Sequence, residues 1–243
     1  MLILGIETST NSVSCALWRD GSVVADVSAL QPRRHAEALA PALRSAATTA
    51  GVALGQLDGV AVGLGPGLFT GLRVGMATAK AMAFALGVPL VGRCSLDLVA
   101  HPLRSNRRPV LVALDARRGE LFWSVHRFDL DDDAGPSMPR VGPPDEVGRI
   151  ARELAAADPR GVLVVGDGVL RVPEAFSAEG IECVGAALAH PQARVLVEMT
   201  HAELAARRAE GTDAVAVRVD PIYVRDPDAV ANWRERDRVV GGA

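Results

Sequence analysis

Aromatic side chains are scarce in this 243-residue chain: five phenylalanines, three tryptophans and one tyrosine, 4% in all. Its core must therefore be assembled from many small aliphatic side chains, and helices built from them can approach one another closely. Lysine is rarer still, Lys80 being the sole example, so basic character rests on arginine. The three cysteines, Cys15, Cys94 and Cys183, are far apart and form no C-x-x-C pair. That excludes a disulfide framework and a zinc knuckle, and it points to a reducing, cytosolic compartment. No apolar run approaches the roughly 18 residues that a membrane span needs, and Glu7 interrupts the apolar start, so neither secretion nor insertion is expected. The formal net charge of −3 leaves no surplus of positive charge. A chain that holds nucleic acid by itself relies on neutralising phosphates, so any RNA role here would need a partner.

What remains is ordinary for a folded protein: 49% hydrophobic and 23% charged residues, at a length where one large domain and two packed lobes are equally reasonable. The pattern favours two lobes. Residues 2–6 read as an apolar strand, a polar turn Glu7 to Ser12 follows, and Val13 to Trp18 forms a second strand. Asp20-Gly21 closes a hairpin onto a third, Ser22 to Ser28. Helical spacing then appears from Pro32 to Ala50 and stops at Gly51. Leu57 to Leu64 reads as a buried strand, Thr70 to Leu86 as a helix ended by Gly87, Val88 to Gly92 as a strand and Ser95 to Leu103 as a short helix. The polar stretch Arg104 to Pro109 marks a boundary, giving lobes of 1–104 and 105–243, with the last helix free to pack back on the first lobe. The second lobe restarts with strands at Val110 to Leu114 and Glu120 to Phe128 around the turn from Asp115. A loop from Asp129 to Pro144, a helix Glu146 to Ala157, strands near 161–166 and 180–185, and a long helix Pro191 to Glu210 follow. Pro221 and Pro227 leave the tail 219–243 without an assignment. A hairpin-first order repeated twice implies a duplicated α/β architecture with mixed sheets.

Few segments carry chemistry. The turn Glu7, Thr8, Ser9, Thr10 offers hydroxyls and backbone N–H groups that could cradle a phosphate, and equally reads as an ordinary hydroxyl-rich turn. Asp115 occupies the matching turn of the second lobe. The run Gly63 to Arg73 (GLGPGLFTGLR) fits neither nucleotide fingerprint, yet its glycines permit a sharp turn into a helix whose first N–H groups could face an anion, with Thr70 as cap. The helix that follows places small residues every fourth position, at Gly71, Gly75, Ala79 and Ala83, although its glycines cost about 1 kcal/mol each in propensity. Such a stripe ordinarily packs within the chain's own core, but other faces of the helix are already apolar, which shifts the expectation towards a helix from another subunit. His35 and Glu37 open the preceding helix, His35 as a cap or surface group. No two histidines stand at i, i+4, no H-E-x-x-H appears and no G-x-S-x-G elbow exists, so neither a metal site nor a nucleophile is supported.

Several of these segments resemble one family. ILGIETSTNSVSCALW, RRHAEALAPAL, GLGPGLFTGLRVGMATAKAMAFALGVPLVG, CSLDLVA and DARRGELF resemble the TsaB (YeaZ) family, non-catalytic partners of the threonylcarbamoyl transferase TsaD; VGDG at 165–168 and PIYVR at 221–225 add to it. The resemblance implies the ASKHA fold of actin, Hsp70 and the sugar kinases. It also implies a cytoplasmic role in making N6-threonylcarbamoyladenosine beside the anticodon of tRNAs that read ANN codons. The implied partners are TsaD and TsaE, with TsaC supplying threonylcarbamoyl-AMP, tRNA held through the complex, and pairing of two copies when TsaD is absent. No firmly bound cofactor follows from it, and a nucleotide at the partner interface stays open. Catalytic members of the wider family carry a metal-binding N-H-x-x-x-H. Aligned through Gly87 to Gly92, its two histidine positions are Ser95 and Val99 here, which places this chain with the partners and removes a protease reading. The family's dimer surface falls on His35, Glu37, Leu39, Leu43, Thr70, Gly71, Arg73, Val74, Gly75, Thr78, Ala79 and Met82. Glu7 and Leu68 depart from the usual Asp and Ser. The rival reading is an ASKHA-type small-molecule kinase or ATPase using the turns at Glu7 and Asp115.

Overall fold

The computed structural model describes residues 1–31, 34–128, 137–210 and 219–225. The expected helix start at Pro32, the loop's centre at 129–136, the stop at Gly211 and the tail beyond 225 lie outside the described residues.

The described residues form two five-stranded mixed sheets. The first runs β3-β2-β1-β4-β5, with β1 Leu2–Glu7, β2 Ser12–Arg19, β3 Ser22–Leu30, β4 Gly59–Gly63 and β5 Leu90–Arg93. The meander β1 to β3 is antiparallel, Leu2 opposite Arg19, while β4 and β5 join in parallel, Ile3 beside Gly59. The second runs β10-β9-β6-β7-β8, with β6 Val110–Arg117, β7 Glu120–His126, β8 Arg140–Gly142, β9 Val162–Val165 and β10 Ile181–Cys183. Numbered within each lobe the two orders are identical, so the expected duplication is present. β8 falls where the sequence reads as loop; it is three residues long and pairs with β7 alone, Leu121 opposite Gly142.

Among the described residues six α-helices cover the sheets: α1 His35–Ala50, α2 Phe69–Leu86, α3 Ser95–Ala100, α4 Pro144–Ala157, α5 Asp167–Arg171 and α6 Ala193–Ala209. α1 and α2 end on Gly51 and Gly87, each left-handed at φ +62°, where the missing Cβ lets the glycine N–H turn back onto the last carbonyls. These two helices cover one face of the first sheet, burying Leu4, Ile6, Cys15 and Leu17 against Leu39, Leu43, Met76 and Ala79. The opposite face, Ile3, Ala16, Ala61 and Val91, lies under Leu196, Val197 and Leu204 of α6. There a Cβ on Gly5 would stand 2.9 Å from the Ala193 carbonyl oxygen, so glycine sets how closely α6 approaches β1.

In the second sheet, α4 and α5 cover Leu111, Ala113 and Val164 with Val147, Ala151 and Val169. The other face, Val110, Val112 and Leu114, is covered by Leu96, Val99 and Ala100 of α3. The helix after each sheet's last strand therefore crosses to the other sheet: α3 follows β5 onto the second, and α6 follows β10 onto the first.

Candidate functional site

The β1–β2 turn lies beneath the loop that starts α2. Glu7 is 1% exposed; its Oε1 accepts from Ser9 N at 2.6 Å and its Oε2 from Ser95 Oγ at 2.9 Å. Ser95 Oγ in turn accepts from Gly65 N at 3.1 Å. Burial pushes the Glu7 carboxyl above the usual range, against the hydrogen bonds from Ser9 and Ser95 that hold it down. Glycine is needed at two neighbouring positions for space: a Cβ on Gly63 would fall 1.7 Å from Glu7 Oε2, and one on Gly67 2.1 Å from the Ser9 carbonyl oxygen. Further groups of the turn are engaged, although the buried Ser9 Oγ has no hydrogen-bond partner among the described residues. Leu68 N donates to Ser9 O at 2.7 Å, Thr8 Oγ1 to Gly71 O at 2.8 Å and His35 Nε2 to Thr10 O at 2.6 Å. Thr8, Ser9 and Thr10 are buried. The turn's polar groups thus fasten α1 and α2 to the sheet.

The cap expected at Thr70 is not found: Leu68 holds the cap position without a side-chain hydrogen bond, and Thr70 is exposed in the helix's first turn. Hydroxyl chemistry suggested a cap, but the loop already uses its first N–H on Ser9 O. The two aligned metal-ligand positions are equally committed. Ser95 bridges Glu7 and Gly65, and Val99, 2% exposed, packs in the apolar core of the second sheet. Among the described residues no group of three His, Cys, Asp or Glu could hold a metal ion.

The small-residue stripe of α2 points inward, not to a partner. A Cβ side chain on Gly71 would begin 2.2 Å from the Thr8 carbonyl oxygen, on Gly75 2.2 Å from Thr8 Oγ1, and Ala79 and Ala83 are buried. The close helix approach it permits is to the chain's own first sheet and turn. His35, expected at the surface, is 3% exposed and held by Thr10 O; Leu39 and Leu43 belong to the core. Of the residues expected at an interface, Glu37, Thr70 and Arg73 are exposed, and Val74, Thr78 and Met82 are half-buried. The outward face of α2 also carries Ala77, Lys80, Ala81 and Phe84, the last 72% exposed. Sequence reasoning missed these because alanine occupies 77, 79, 81, 83 and 85. Small residues at every second position make a four-residue stripe on either face.

Between the lobes, Asp115 is saturated by its own chain. Its Oδ1 accepts from Arg117 N at 2.8 Å, and its Oδ2 is 2.6 Å from Arg171 Nη1 and 3.2 Å from Arg117 Nη1. Asp167 Oδ1 accepts from Asp115 N at 2.9 Å, and burial pushes the Asp167 carboxyl up. Nearby, Arg117 Nη2 donates to Asn11 Oδ1 at 2.6 Å, and His190 Nδ1 lies 3.2 Å from Thr10 Oγ1. Asp167 and His190 were not anticipated; VGDG and an isolated histidine gave no chemical signal.

Two hairpin-first mixed sheets with flanking helices define the ASKHA class. At the level of fold alone the chain resembles a 2-hydroxyisocaproyl-CoA dehydratase activator from Clostridium difficile, with 13% identity, TM-score 0.52 and coverage of 86% of this chain and 98% of that one. Residues 23–233 match the family described as "TsaD: tRNA N6-adenosine threonylcarbamoyltransferase". The tRNA threonylcarbamoyladenosine biosynthesis protein TsaB of Escherichia coli is 29% identical over 131 residues, 53% of this chain and 56% of that protein. The chain thus spans little more than half the length of that relative. YeaZ from Pseudomonas aeruginosa is 29% identical, with TM-score 0.70 over 91% of this chain and 99% of that one. The chain belongs to this threonylcarbamoyltransferase family, on its TsaB/YeaZ branch.

Proposed function

We propose that the chain is a non-catalytic subunit that docks on TsaD in the assembly making N6-threonylcarbamoyladenosine in tRNA. The observation that carries this reading is the state of Ser95 and Val99. One bridges Glu7 to Gly65 and the other lies in the core, so neither can serve as the metal ligand that catalysis in this family is expected to use. A chain with no such chemistry contributes by holding a partner, and α2 offers an outward face of Thr70, Arg73, Ala77 and Ala81. Small residues at its middle admit a crossing helix, and Arg73 and Phe84 supply the larger contacts typical of binding hot spots. In this reading TsaE joins the pair, TsaC supplies threonylcarbamoyl-AMP, tRNA is held by the complex in the cytosol, and two copies use the same face when TsaD is absent.

Co-purification with TsaD and a modification assay with and without this chain test the reading. Arg73→Glu and Ala77→Trp should each weaken the complex more than tenfold, about 1.4 kcal/mol, with unchanged melting of the isolated chain. Wild-type affinity in both variants would overturn the face. ATP turnover by the isolated chain would overturn the non-catalytic role.

A further inference from the structure

Residues 219–225 lie across both lobes. Val219 is 5% exposed and packs in the first lobe's core beside α1 and α2. Asp220 Oδ1 is 4.0 Å from Lys80 Nζ on α2, and Ile222 N donates to the carbonyl of Leu64, just after β4, at 2.7 Å. The Tyr223 ring stands 5.7 Å from that of Phe69, the first residue of α2, which also carries the Arg73 guanidinium 3.8 Å from its centre. Val224 packs against the second lobe's core. Arg225 Nη1 donates to Ala116 O at 3.3 Å, and its Nη2 pairs with Glu120, both on the β6–β7 hairpin. One short segment therefore grips α2, the loop leading into it and the other lobe in succession.

We propose that residues 219–225 form a clamp between the lobes that holds the start of α2 and releases without either sheet unfolding. Apart from the buried Val219, the grip is made of separable, modest contacts. Tyr223 and Phe69 are 46% and 38% exposed, and the exposed Lys80–Asp220 pair adds little. No strand pairing ties the segment to a sheet edge, so it belongs to the low-stability end of the molecule. What it holds is more consequential: Leu64 opens the glycine loop that seats on Ser9, and Phe69 begins the helix whose outer face is offered to a partner. Pro221 restricts the free segment and lowers the entropy lost on closing. On the docking reading above, occupation of the α2 face would be felt at the β6–β7 hairpin through this segment.

Hydrogen exchange on the isolated 243-residue chain tests the clamp without any partner. Arg225→Ala and Tyr223→Ala should each speed exchange of the amides at 64–72 at least tenfold, leaving those of β6 and β9 unchanged. Unchanged protection at 64–72 would overturn the proposal, and so would an equal rise in β9, which would mean general destabilisation. Arg225→Lys, which keeps the charge but loses the planar fork, is the milder variant with the same two outcomes if the alanine form does not fold. Affinity for TsaD is measured separately. Faster exchange at 64–72 with full affinity leaves the clamp standing and removes only its consequence for docking.

Discussion

The two lobes share a sheet and part company after its fourth strand. In the first, β4 leads through the glycine loop into the 18-residue α2; in the second, β9 leads directly into α5, which has five residues. The long outward helix, and with it the face assigned to a partner, exists in one copy only. The hairpin turns differ in parallel. The first is closed by close backbone approach over Ser9 and Glu7, and the second by the arginines around Asp115. Contact through glycine is insensitive to salt, whereas partly exposed ion pairs are screened, so duplication has kept a scaffold while each copy solved its turn with different physics.

The sharpest way to break this comparison is Gly75→Leu. A side chain there must start 2.2 Å from Thr8 Oγ1, with the turn pinned by Gly71 and His35. Loss of at least about 3 kcal/mol in urea unfolding is expected. Wild-type stability would mean that the stripe is not seated on the turn. For the same reason this substitution is unsuited to probing a partner face.

Acid should separate the lobes by sign. His126 of the second lobe is 4% exposed beside Ser124 Oγ at 2.8 Å, and burial lowers its pKa to about 4. As pH falls the unfolded chain takes up this proton near pH 6.5 and the folded chain only near 4. The stability present above 6.5 is therefore lost across that window, to a total of about 3 kcal/mol. Glu7 of the first lobe acts oppositely: its raised pKa means that stability falls as pH rises from 4.5 through the folded value. Urea midpoints at pH 7 and pH 4.5 check both. His126→Gln should lose less stability on acidification than wild type, and Glu7→Gln should lose more. Identical pH dependence in all three chains would show that neither group is buried as described. The smallest effect is expected on the solvent face of α4. The Arg149–Glu153 pair is more than half exposed, and Arg149→Ala should shift stability by no more than about 0.5 kcal/mol.

Most strands of each lobe were legible because short apolar runs, the Asp20-Gly21 turn and the stops at Gly51 and Gly87 are local signals. β8 was not, since three residues beside a proline-rich loop carry no period. α5 was hidden because VGDG reads as a turn. Two features of the candidate site were out of reach for a different reason. Which face of α2 looks inward is undetermined when alanine recurs at every second position, and the Glu7–Ser95 bridge joins residues 88 apart in sequence. The crossing of α3 and α6 was only half foreseen: a periodic pattern tells which side of a helix is apolar, not which sheet will cover it.

That crossing also sets a timetable. During synthesis the first sheet is complete once β5 has emerged, but the face formed by Ile3, Ala16, Ala61 and Val91 has no cover until α6 is made. At ordinary translation rates the wait is on the order of ten seconds, during which a finished sheet shows an apolar side to its surroundings. The first lobe therefore reaches its final packing only after most of the second has been made.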